Sequence, residues 1–522
     1  MFLQRVANKG LNPGTIFEQA AARHPGNLLI LDHDLDIAPG LGRRLLVSEV
    51  ADLVDDLAAR LYARGVRAGL RVAVHKSDNF DITLLACAVA RLGAVPVLMS
   101  PALDAETVGK LLARLEEPHL LTDQAKLASG LAELDLARRT RSVILATGEH
   151  DAGEPLGARG DAPRAPCPVA PLDQPALITH TSGTTGTPKL VVHTARTLGA
   201  RYRPQAAFAR GIKGRETVAV HVSFVHSRLF TALAISLWRG FPVVMLSDGS
   251  ADHVADLFAR VRPGLLETHP NSFMEWESLA DDPRAPLSDV RYFSSTFDAI
   301  HPRTMDRLLS ATRRRSPVFV QLYGQSEVGP VAGRTYTRRR SAQADGRCLG
   351  IPFPGMTGIR VVSRDGRPPG PENPGYIEVR TDGRAVTYLG EHERYTAQEN
   401  DGWWRMGDVG YRTRWGCLHL LDREVDYIAS VGSTLAIEDR LLVRLDQLTE
   451  LVIVDRGDGV AVPVVCTRDD EPIDERTWER AVSDLPAMCR PVHRRLADLP
   501  RTATSKIKRL QLAAEIAAEE AA

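Results

Sequence analysis

The sequence predicts an α/β protein with a large N-terminal domain, residues 1–422, and a small α+β C-terminal domain, residues 423–522. Two observations support this fold class. Apolar runs of strand length alternate with segments of helical periodicity, which is typical of parallel sheets covered by helices. From about residue 346, short strands separated by Pro/Gly turns replace that alternation. The large domain is therefore expected to contain two α/β sheet subdomains and a small β-barrel-like layer.

The first subdomain is predicted from local patterns near the N-terminus. A capping-box pattern at residues 15–18 predicts one helix, and apolar spacing over residues 48–61 predicts a second. A strand at 72–74, an apolar helix at about 80–92 and a strand at 96–99 then form one βαβ unit. Such a unit implies a parallel sheet.

The second subdomain follows a loop that is rich in Gly, Pro, Ala and Asp and covers residues 149–175. Strands and helices alternate again after it, so a second parallel sheet is expected. The predicted strands are 217–220, 241–246, 291–293 and 318–322, and the predicted helices are 230–238 and 251–261.

Composition excludes several classes of protein. Lys+Arg and Asp+Glu both total 65, so no net field favours nucleic acid or an acidic membrane surface. The six cysteines include no C-x-x-C pair, which argues against a zinc site or a disulfide framework. Arg91 and Arg239 interrupt the most apolar stretches, and residues 1–5 lack the apolar core of a signal peptide. We expect a soluble cytoplasmic protein that binds neither nucleic acid nor membrane.

A polar segment at residues 181–189 has the composition of a phosphate-binding loop. Apolar runs flank it and predict two strands joined by a hairpin, because Gly183 and Gly186 supply φ freedom that a strand interior does not need. Backbone N–H groups, hydroxyls and one ammonium can together hold a polyphosphate, although a flexible surface turn has a similar composition. It is not a Walker loop, since Leu190 follows the lysine. The predicted phosphate contacts are Thr181, Ser182, Gly183, Thr184, Thr185, Gly186 and Lys189.

A second candidate segment, residues 321–330, follows a predicted strand end, where ligands of open α/β sheets bind. The flat ring of Tyr323 can contact a nucleobase, and Gly324 allows close approach of the backbone. The Glu327 carboxylate is an oxygen ligand suited to Mg²⁺. Alone, this segment is equally consistent with an ordinary turn that carries a solvated glutamate.

Two further motifs follow downstream in the chain. Residues 402–408, Gly-Trp-Trp-Arg-Met-Gly-Asp, end in a carboxylate that can accept both ribose hydroxyls, and Arg423 follows shortly after. Residues 499–509, Leu-Pro-Arg-Thr-Ala-Thr-Ser-Lys-Ile-Lys-Arg, contain Lys506. In this order the motifs resemble those of the adenylate-forming superfamily, which comprises acyl-CoA synthetases, carrier-charging adenylation domains and luciferases. The resemblance covers nearly the whole chain.

The resemblance implies a role for each motif residue. Tyr323 is expected to stack on adenine, and Asp408 and Arg423 to contact the ribose. Glu327 is expected to bind magnesium. Lys506 is expected to neutralise the reacting carboxylate and α-phosphate from a small domain that swings over the nucleotide cleft.

The chain departs from the family pattern next to the nucleotide. Ser326 replaces the threonine of the Tyr-Gly-x-Thr-Glu motif and keeps its hydroxyl. Thr296, Phe297 and Asp298 stand where the family has a Gly-Gly-Ala-Pro turn beside adenine and the acyl group. They add bulk and a charge, and are expected to contact the nucleotide.

The expected substrate pocket contains Val225, His226, Arg228 and Phe297. Val225 occupies the position at which amino-acid-activating domains carry an aspartate, so a buried ammonium would lack its counter-charge. His226 coincides with a histidine common in acyl- and aryl-CoA ligases and is the third predicted catalytic residue, beside Lys506 and Glu327. Arg228 is predicted either to pair with a substrate acid or hydroxyl or to be solvated. Phe297 narrows the site, which favours a small aromatic acid.

Departures near the predicted domain junction concern the second step of the reaction, in which the activated group passes to its acceptor. Val425 replaces a charged hinge residue, Ile428-Ala429 replaces an Ile-Lys pair, and Ser505 replaces the glycine before the catalytic lysine. These changes leave the acceptor of the activated group open.

The predicted activity is adenylation of a carboxylic acid by ATP and Mg²⁺ with release of pyrophosphate. Transfer to a thiol then follows, chiefly that of CoA, with a carrier protein as a further acceptor. One alternative passes the activated group to an amine, or activates another oxyanion, nitrite, for N–N bond formation in natural-product biosynthesis. An alternative of another class is a nucleotide-binding relative without catalysis, against which the retained Lys506, Glu327, Asp408 and Arg423 argue.

Overall fold

The computed structural model describes residues 10–160, 162–181, 187–296, 300–341, 344–457, 459–501 and 507–521. Within these ranges the chain forms two large β-sheets, one small sheet and fourteen α-helices. The α/β class predicted from the sequence is confirmed.

The strands, in chain order, are β1 Leu28–Leu31, β2 Arg44–Leu46, β3 Arg71–Val74, β4 Val95–Leu98, β5 His119–Asp123, β6 Ser142–Thr147, β7 Glu154–Pro155, β8 Pro175–His180, β9 Leu190–Thr194, β10 Val218–His221, β11 Val243–Met245, β12 Leu265–Thr268, β13 Tyr292–Ser295, β14 Val318–Gln325, β15 Gly329–Thr337, β16 Cys348–Pro352, β17 Thr357–Val362, β18 Gly375–Thr381, β19 Thr387–Tyr388, β20 Glu399–Asn400, β21 Trp403–Arg412, β22 Leu418–Arg423, β23 Leu448–Asp455, β24 Ala461–Thr467 and β25 Val492–His493.

The helices are α1 Ile16–Arg23, α2 Val47–Ala63, α3 Asp81–Arg91, α4 Ala105–Ala113, α5 Gln124–Ala128, α6 Ala195–Arg210, α7 Ser227–Trp238, α8 Ala251–Val261, α9 Pro270–Glu275, α10 Pro302–Ala311, α11 His392–Thr396, α12 Thr434–Arg444, α13 Glu475–Val482 and α14 Arg509–Ala521.

Both large sheets have a parallel centre. The eight-stranded sheet has the order β19-β9-β8-β4-β3-β5-β6-β7, with β9 and β19 antiparallel to their neighbours. The fourteen-stranded sheet has the order β17-β18-β21-β22-β16-β15-β14-β13-β12-β10-β11-β1-β2, with β20 paired to β21. Its strands from β14 to β1 are parallel. The layer predicted as barrel-like is therefore joined, through β15, to the second parallel sheet.

Helices and strands of both sheets contribute to the largest hydrophobic core, which includes Phe17, Leu53, Leu85, Val220 and Phe230. A second core on the opposite face of the larger sheet is built around Phe258, Trp276, Phe293 and Phe319. Since β10, β12, β13 and β14 run in parallel, their carboxyl ends meet at one edge of the sheet, and α7 begins at that edge.

Three local features differ from the sequence predictions. Helix α6 was not predicted, because Pro204 lies inside it and its apolar pattern is weak. Its first turn is fixed by Thr194, whose side chain accepts a hydrogen bond from the Thr197 amide. The predicted first helix is present, but Thr15 forms no side-chain cap and instead accepts a bond from Gln19. Strand β14 continues to Gln325, past the predicted end at residue 322.

The C-terminal part contains the three-stranded sheet β23-β24-β25, helices α12 to α14 and hydrophobic clusters of its own. Asp422, at the end of β22, accepts hydrogen bonds of 2.9 and 2.5 Å from the amide and hydroxyl of Thr434. The boundary between residues 422 and 423 and the movement of the small domain stay predictions. Within the described ranges, none of the helices is long and apolar enough to cross a membrane.

Candidate active site

The base of the predicted phosphate loop is a regular antiparallel hairpin. His180 on β8 pairs with Leu190 on β9. The Thr181 amide donates to the Lys189 carbonyl at 3.0 Å, and the Lys189 amide donates to Thr181 Oγ1 at 3.1 Å. The two predicted strands and their pairing are therefore confirmed. Five predicted phosphate contacts, Ser182, Gly183, Thr184, Thr185 and Gly186, lie outside the described residues.

Tyr388 connects the loop lysine to the predicted magnesium ligand. Lys189 Nζ lies 3.5 Å from the Tyr388 hydroxyl and 4.8 Å from the centre of its ring. The same hydroxyl donates a 2.6 Å hydrogen bond to Glu327 Oε1. Burial lowers the pKa of Lys189, and the nearby Glu327 carboxylate opposes this shift. Sequence analysis missed Tyr388, since it lies in a two-residue strand without a recognisable motif.

Glu327 is the predicted ligand of a magnesium ion, and its surroundings show whether the protein's own side chains could hold that ion. The residue is buried, and its backbone lies in the turn between β14 and β15. Among the residues that the structure describes, no group of three His, Cys, Asp or Glu side chains could hold a metal. Magnesium is commonly bound by one or two carboxylates together with substrate phosphates and water, so a single carboxylate fits this ion.

The turn after Tyr323 requires glycine and is tied to the neighbouring layer. A Cβ atom on Gly324 would lie 2.0 Å from the Gly329 carbonyl oxygen, and the pairing register shifts at this point. Gln325 Nε2 donates to the Met406 carbonyl at 2.7 Å, and Trp404 Nε1 donates to Gln325 Oε1 at 2.9 Å. The predicted close approach at Gly324 is thus made by the protein's own backbone. Ser326 follows, half-buried, in the turn.

The predicted adenine and ribose contacts lie next to each other. The Tyr323 hydroxyl donates a 2.5 Å hydrogen bond to Asp408 Oδ2, and Arg423 Nε lies 3.9 Å from Asp408 Oδ1. Asp408 and Arg423 are direct partners in the pairing of β21 with β22. Burial, and next the Asp408 charge, raise the pKa of Tyr323 far above its usual value. The phenol therefore stays protonated and donates to the carboxylate.

Arg201 on α6 links the turn at Glu327 to the start of α7. Its guanidinium donates to the backbone carbonyls of Gly383 at 2.7 Å and Glu327 at 2.8 Å, and to Ser227 Oγ at 3.3 Å. The side chain is buried, and burial lowers its pKa to about 10, so it remains charged at neutral pH. Sequence analysis missed Arg201 because it missed the helix that carries it.

His226 is the N-cap residue of α7, and its Nδ1 accepts a 3.1 Å bond from the Arg228 amide. Burial, together with the charges of Arg201 and other basic groups, lowers the pKa of His226 to about 3. The ring is therefore neutral, and because Nδ1 accepts a bond, the ring proton is assigned to Nε2. Val225 beside it is buried and apolar.

Arg228 is not solvated, and Glu267 occupies two of the three nitrogens of its guanidinium group. Its Nε and Nη2 donate to Glu267 Oε1 and Oε2 at 2.5 and 2.7 Å; Glu267 is buried, and the Arg228 side chain is 10% exposed. No motif pointed to Glu267, which lies on β12, 39 residues away. Thr296, also buried, lies at the end of β13. Phe297, Asp298 and Lys506 fall outside the described part of the chain.

The family model for AMP-binding enzymes matches residues 17–389, which is well over half of the chain. The chain belongs to the AMP-binding enzyme family. The resemblance to the adenylate-forming superfamily is thereby confirmed, and the hairpin, Tyr323 turn and Asp408 strand described above belong to an AMP-binding enzyme.

Curated relatives of this AMP-binding enzyme include two diazotases. It is 48% identical over 535 residues to the 3-amino-2-hydroxy-4-methoxybenzoate diazotase of Streptomyces cremeus, covering 98% of this chain and 97% of that protein. It is 26% identical to a 3-aminoavenalumate diazotase from Streptomyces sp., covering 91% and 90%. The indoleacetate–CoA ligase of Aromatoleum aromaticum is 28% identical, with 90% and 92% covered.

Among solved structures, this AMP-binding enzyme is similar to ATP-bound MatB from Rhodopseudomonas palustris. The TM-score is 0.78 at 20% identity, and the match covers 97% of this chain and 99% of that one. This likeness shows the fold, with its large N-terminal and smaller C-terminal domain.

Proposed function

We propose that this AMP-binding enzyme uses ATP to activate nitrite and transfers the nitroso group to the amine of an aminated aromatic acid in natural-product biosynthesis. The similarity that carries this proposal is the 48% identity, along 98% of the chain, to a diazotase named for an aminobenzoate. A second diazotase relative, also named for an amino compound, agrees with it. Nitrite activation was one of the alternatives predicted from the sequence, and the comparisons support it better than CoA transfer.

The reaction balances without a further reactant. A nitrite oxygen attacks the α-phosphorus of ATP, and the bond to pyrophosphate breaks. The amine nitrogen then attacks the nitroso nitrogen of this mixed anhydride, forming the N–N bond, and AMP leaves with the electron pair of the N–O bond. Loss of one water from the nitrosated amine gives the diazonium group. Amine, nitrite and ATP thus yield diazonium, AMP, pyrophosphate and water.

The residues of the site have separate roles in the first step. Thr181, Lys189 and the hairpin loop would hold the β- and γ-phosphates, while Tyr323 would contact adenine and Asp408 the ribose. A Mg²⁺ ion held by Glu327, when bound, would neutralise phosphate charge and orient the leaving pyrophosphate. The remaining catalysis is positioning and charge neutralisation, in which Lys506 is proposed to act on the α-phosphate.

Residues at the start of α7 suit the binding of nitrite and of the aromatic amine. Arg201 is a buried cation that donates to neutral groups and has the Glu327 carboxylate nearby, and in the proposed reaction its charge would favour nitrite beside it. His226 stays neutral, so it adds no second positive charge at this place. Val225 provides no anion for an ammonium, which favours the uncharged amine that the nucleophilic attack requires.

A second candidate function is formation of an aryl-CoA thioester, favoured by the similarity to indoleacetate–CoA ligase. In this case the acid itself would be adenylated and the thiol of CoA would take the acyl group. The departures at Val425 and Ser505 concern this step, and Val425 is 55% exposed beside the domain junction. CoA, Mg²⁺ and a carrier protein remain proposals.

One experiment separates the two functions. Purified enzyme with ATP, MgCl₂ and 3-amino-2-hydroxy-4-methoxybenzoate receives either nitrite labelled with heavy nitrogen or CoA. We expect pyrophosphate release and a diazo product that carries one heavy nitrogen by mass spectrometry. Reactions without nitrite or without ATP serve as controls. A CoA thioester together with pyrophosphate release in the absence of nitrite would instead establish the ligase.

A further inference from the structure

The buried ion pair between Arg228 and Glu267 lies at the edge of the larger sheet where the reaction is proposed to occur. Glu267 precedes the last residue of β12, and Arg228 lies in the first turn of α7. Ser227 beside Arg228 accepts a hydrogen bond from Arg201, which also reaches the Glu327 turn. One guanidinium therefore spans the distance between the Arg228 region and the predicted magnesium ligand.

The pairing of β12 with β13 shows which residue of the neighbouring strand lies beside this ion pair. Glu267 is the direct register partner of Ser294, so their side chains lie on the same face. Ser294 is half-buried, while Glu267 is 5% exposed. Ser294, next to the buried carboxylate that holds Arg228, is therefore partly accessible to solvent.

One nitrogen of the Arg228 guanidinium has no partner in the described part of the chain. Glu267 binds Nε and Nη2, and the Arg228 side chain is only 10% exposed. Nη1 is buried and has no hydrogen-bond acceptor among the residues that the structure describes. A buried, charged donor in this state is costly, and such groups are normally satisfied by protein, water or ligand. Because two bonds to Glu267 fix the plane of the guanidinium, the direction of Nη1 is fixed as well.

The local charge favours an anionic partner for Nη1. Glu267 balances the charge of Arg228, and the Glu327 carboxylate acts on Arg201 from nearby, although the hydrogen bonds of Arg201 go to two carbonyls and one hydroxyl. The charges of Arg201 and Arg228 both act on His226 and help to keep it neutral. A carboxylate bound at Nη1 would form a charge-assisted hydrogen bond with the guanidinium.

We propose that Arg228, held in place by Glu267, binds the ring carboxylate of the aromatic amine through Nη1. This inference rests on the proposed function, since it takes the amine and not the carboxylate as the group that reacts. The carboxylate is then an anchor that orients the ring, and the enzyme selects aminated aromatic acids over amines that lack the acid.

Equilibrium binding tests the anchor without catalysis. Calorimetry would compare 3-amino-2-hydroxy-4-methoxybenzoate with the corresponding aminophenol, which lacks only the carboxylate, on enzyme saturated with AMP. We expect the unchanged enzyme to bind the acid about 10- to 100-fold more tightly, as for a hydrogen bond to a charged group. Arg228→Gln should bring the two affinities within about threefold of each other. Arg228→Lys should lose much of the preference, because lysine lacks the planar fork.

Arg314→Gln is the matched control. Arg314 also pairs with a buried glutamate, Glu216, at 2.6 Å, but both precede strands β10 and β14 at the opposite edge of the sheet. It should keep the full preference for the acid. Equal binding of both compounds by the unchanged enzyme, no binding of the acid, or equal weakening of both by Arg228→Gln would overturn the proposal. Thermal melting shows whether each variant folds. If Arg228→Gln does not fold, an undiminished preference for the acid in Arg228→Lys would overturn the proposal. Failure of nitrite-dependent pyrophosphate release, with acid binding retained, would contradict only the proposed function.

Discussion

Tyr323 and Asp408 are 85 residues apart in the chain, yet the phenolic hydroxyl of one donates a 2.5 Å hydrogen bond to the carboxylate of the other. The bond joins β14 to β21, two strands that are not neighbours in the sheet. The ring proposed to contact adenine and the carboxylate proposed to contact the ribose therefore form one unit. Nucleotide binding is expected to depend on both parts of it.

Substitutions at Tyr323 should separate the ring from the hydroxyl. Tyr323→Phe keeps the stacking surface and loses one bond to a charged group, so we expect the KM for ATP to rise about tenfold at most. Tyr323→Ala removes the ring too and should raise it considerably further. Both values come from initial rates of pyrophosphate release. Equal losses in the two variants would show that the ring does not contact the nucleotide.

Asp408→Ala should raise the KM for ATP with a smaller change in kcat, because ribose contacts are made in ground and transition states alike. A charge-assisted bond contributes about 1.5–3 kcal/mol, which corresponds to a ten- to hundredfold effect. Asp408→Asn retains an acceptor for Tyr323, so its KM for ATP should lie between those of the unchanged enzyme and of Asp408→Ala. An unchanged KM in the alanine variant would place Asp408 outside the nucleotide site.

Removing the Tyr388 hydroxyl should change the response to magnesium. Tyr388→Phe breaks the 2.6 Å bond to Glu327 but keeps the ring beneath Lys189. Without this bond the Glu327 carboxylate is less well positioned, so the MgCl₂ concentration for half-maximal activity should rise about fivefold, from about 1 kcal/mol of lost orientation. Glu327→Gln should raise it more. A Mg²⁺ titration that superimposes on that of the unchanged enzyme in both variants would contradict the metal assignment.

Lys506, which lies outside the described residues, is the proposed catalytic lysine. Lys506→Ala should leave ATP binding nearly intact and lower adenylate formation by about two or more orders of magnitude, since its charge is needed mainly in the transition state. Lys508→Ala, two residues on, is the control and should stay near the original rate. Pyrophosphate exchange at the original rate in Lys506→Ala would show that another group neutralises the phosphate.

The pH dependence of stability should include a contribution from His419. Its Nδ1 lies 3.1 Å from Asp345 Oδ2, and the bonds to Asp345 and then Cys348 raise the pKa of His419 from 6.5 to about 9. The protonated ring thus stabilises the fold fully below pH 6.5, and this stabilisation disappears as the pH rises through 9.

His419→Gln should therefore destabilise the enzyme at pH 6 by about 1 kcal/mol, a value reduced for the exposure of Asp345, and much less at pH 10. Urea unfolding midpoints at both pH values provide the measurement. Asp345→Asn should show the same pH dependence. A destabilisation that is equal at the two pH values would mean that His419 acts through packing and not charge.

Much of the fold was predictable because it depends on local patterns. The βαβ unit at residues 72–99 and the strands of the phosphate hairpin appeared at the predicted places. Helix α6 did not, since Pro204 and weak periodicity conceal it, and its position is stabilised by tertiary contacts. The resemblance to the family also singled out Tyr323, Glu327 and Asp408, and the structure places Tyr323 beside Asp408, while their roles stay predictions.

The sequence alone therefore determined the fold class and the family, and it predicted the groups that would contact ATP. Only the tertiary structure decided their partners: Tyr388 for Glu327, Arg201 for the start of α7, and Glu267 for Arg228. These contacts join segments between 26 and 61 residues apart. No spacing rule links residues on different strands and helices, because their proximity arises from how the sheets pack and not from the local backbone.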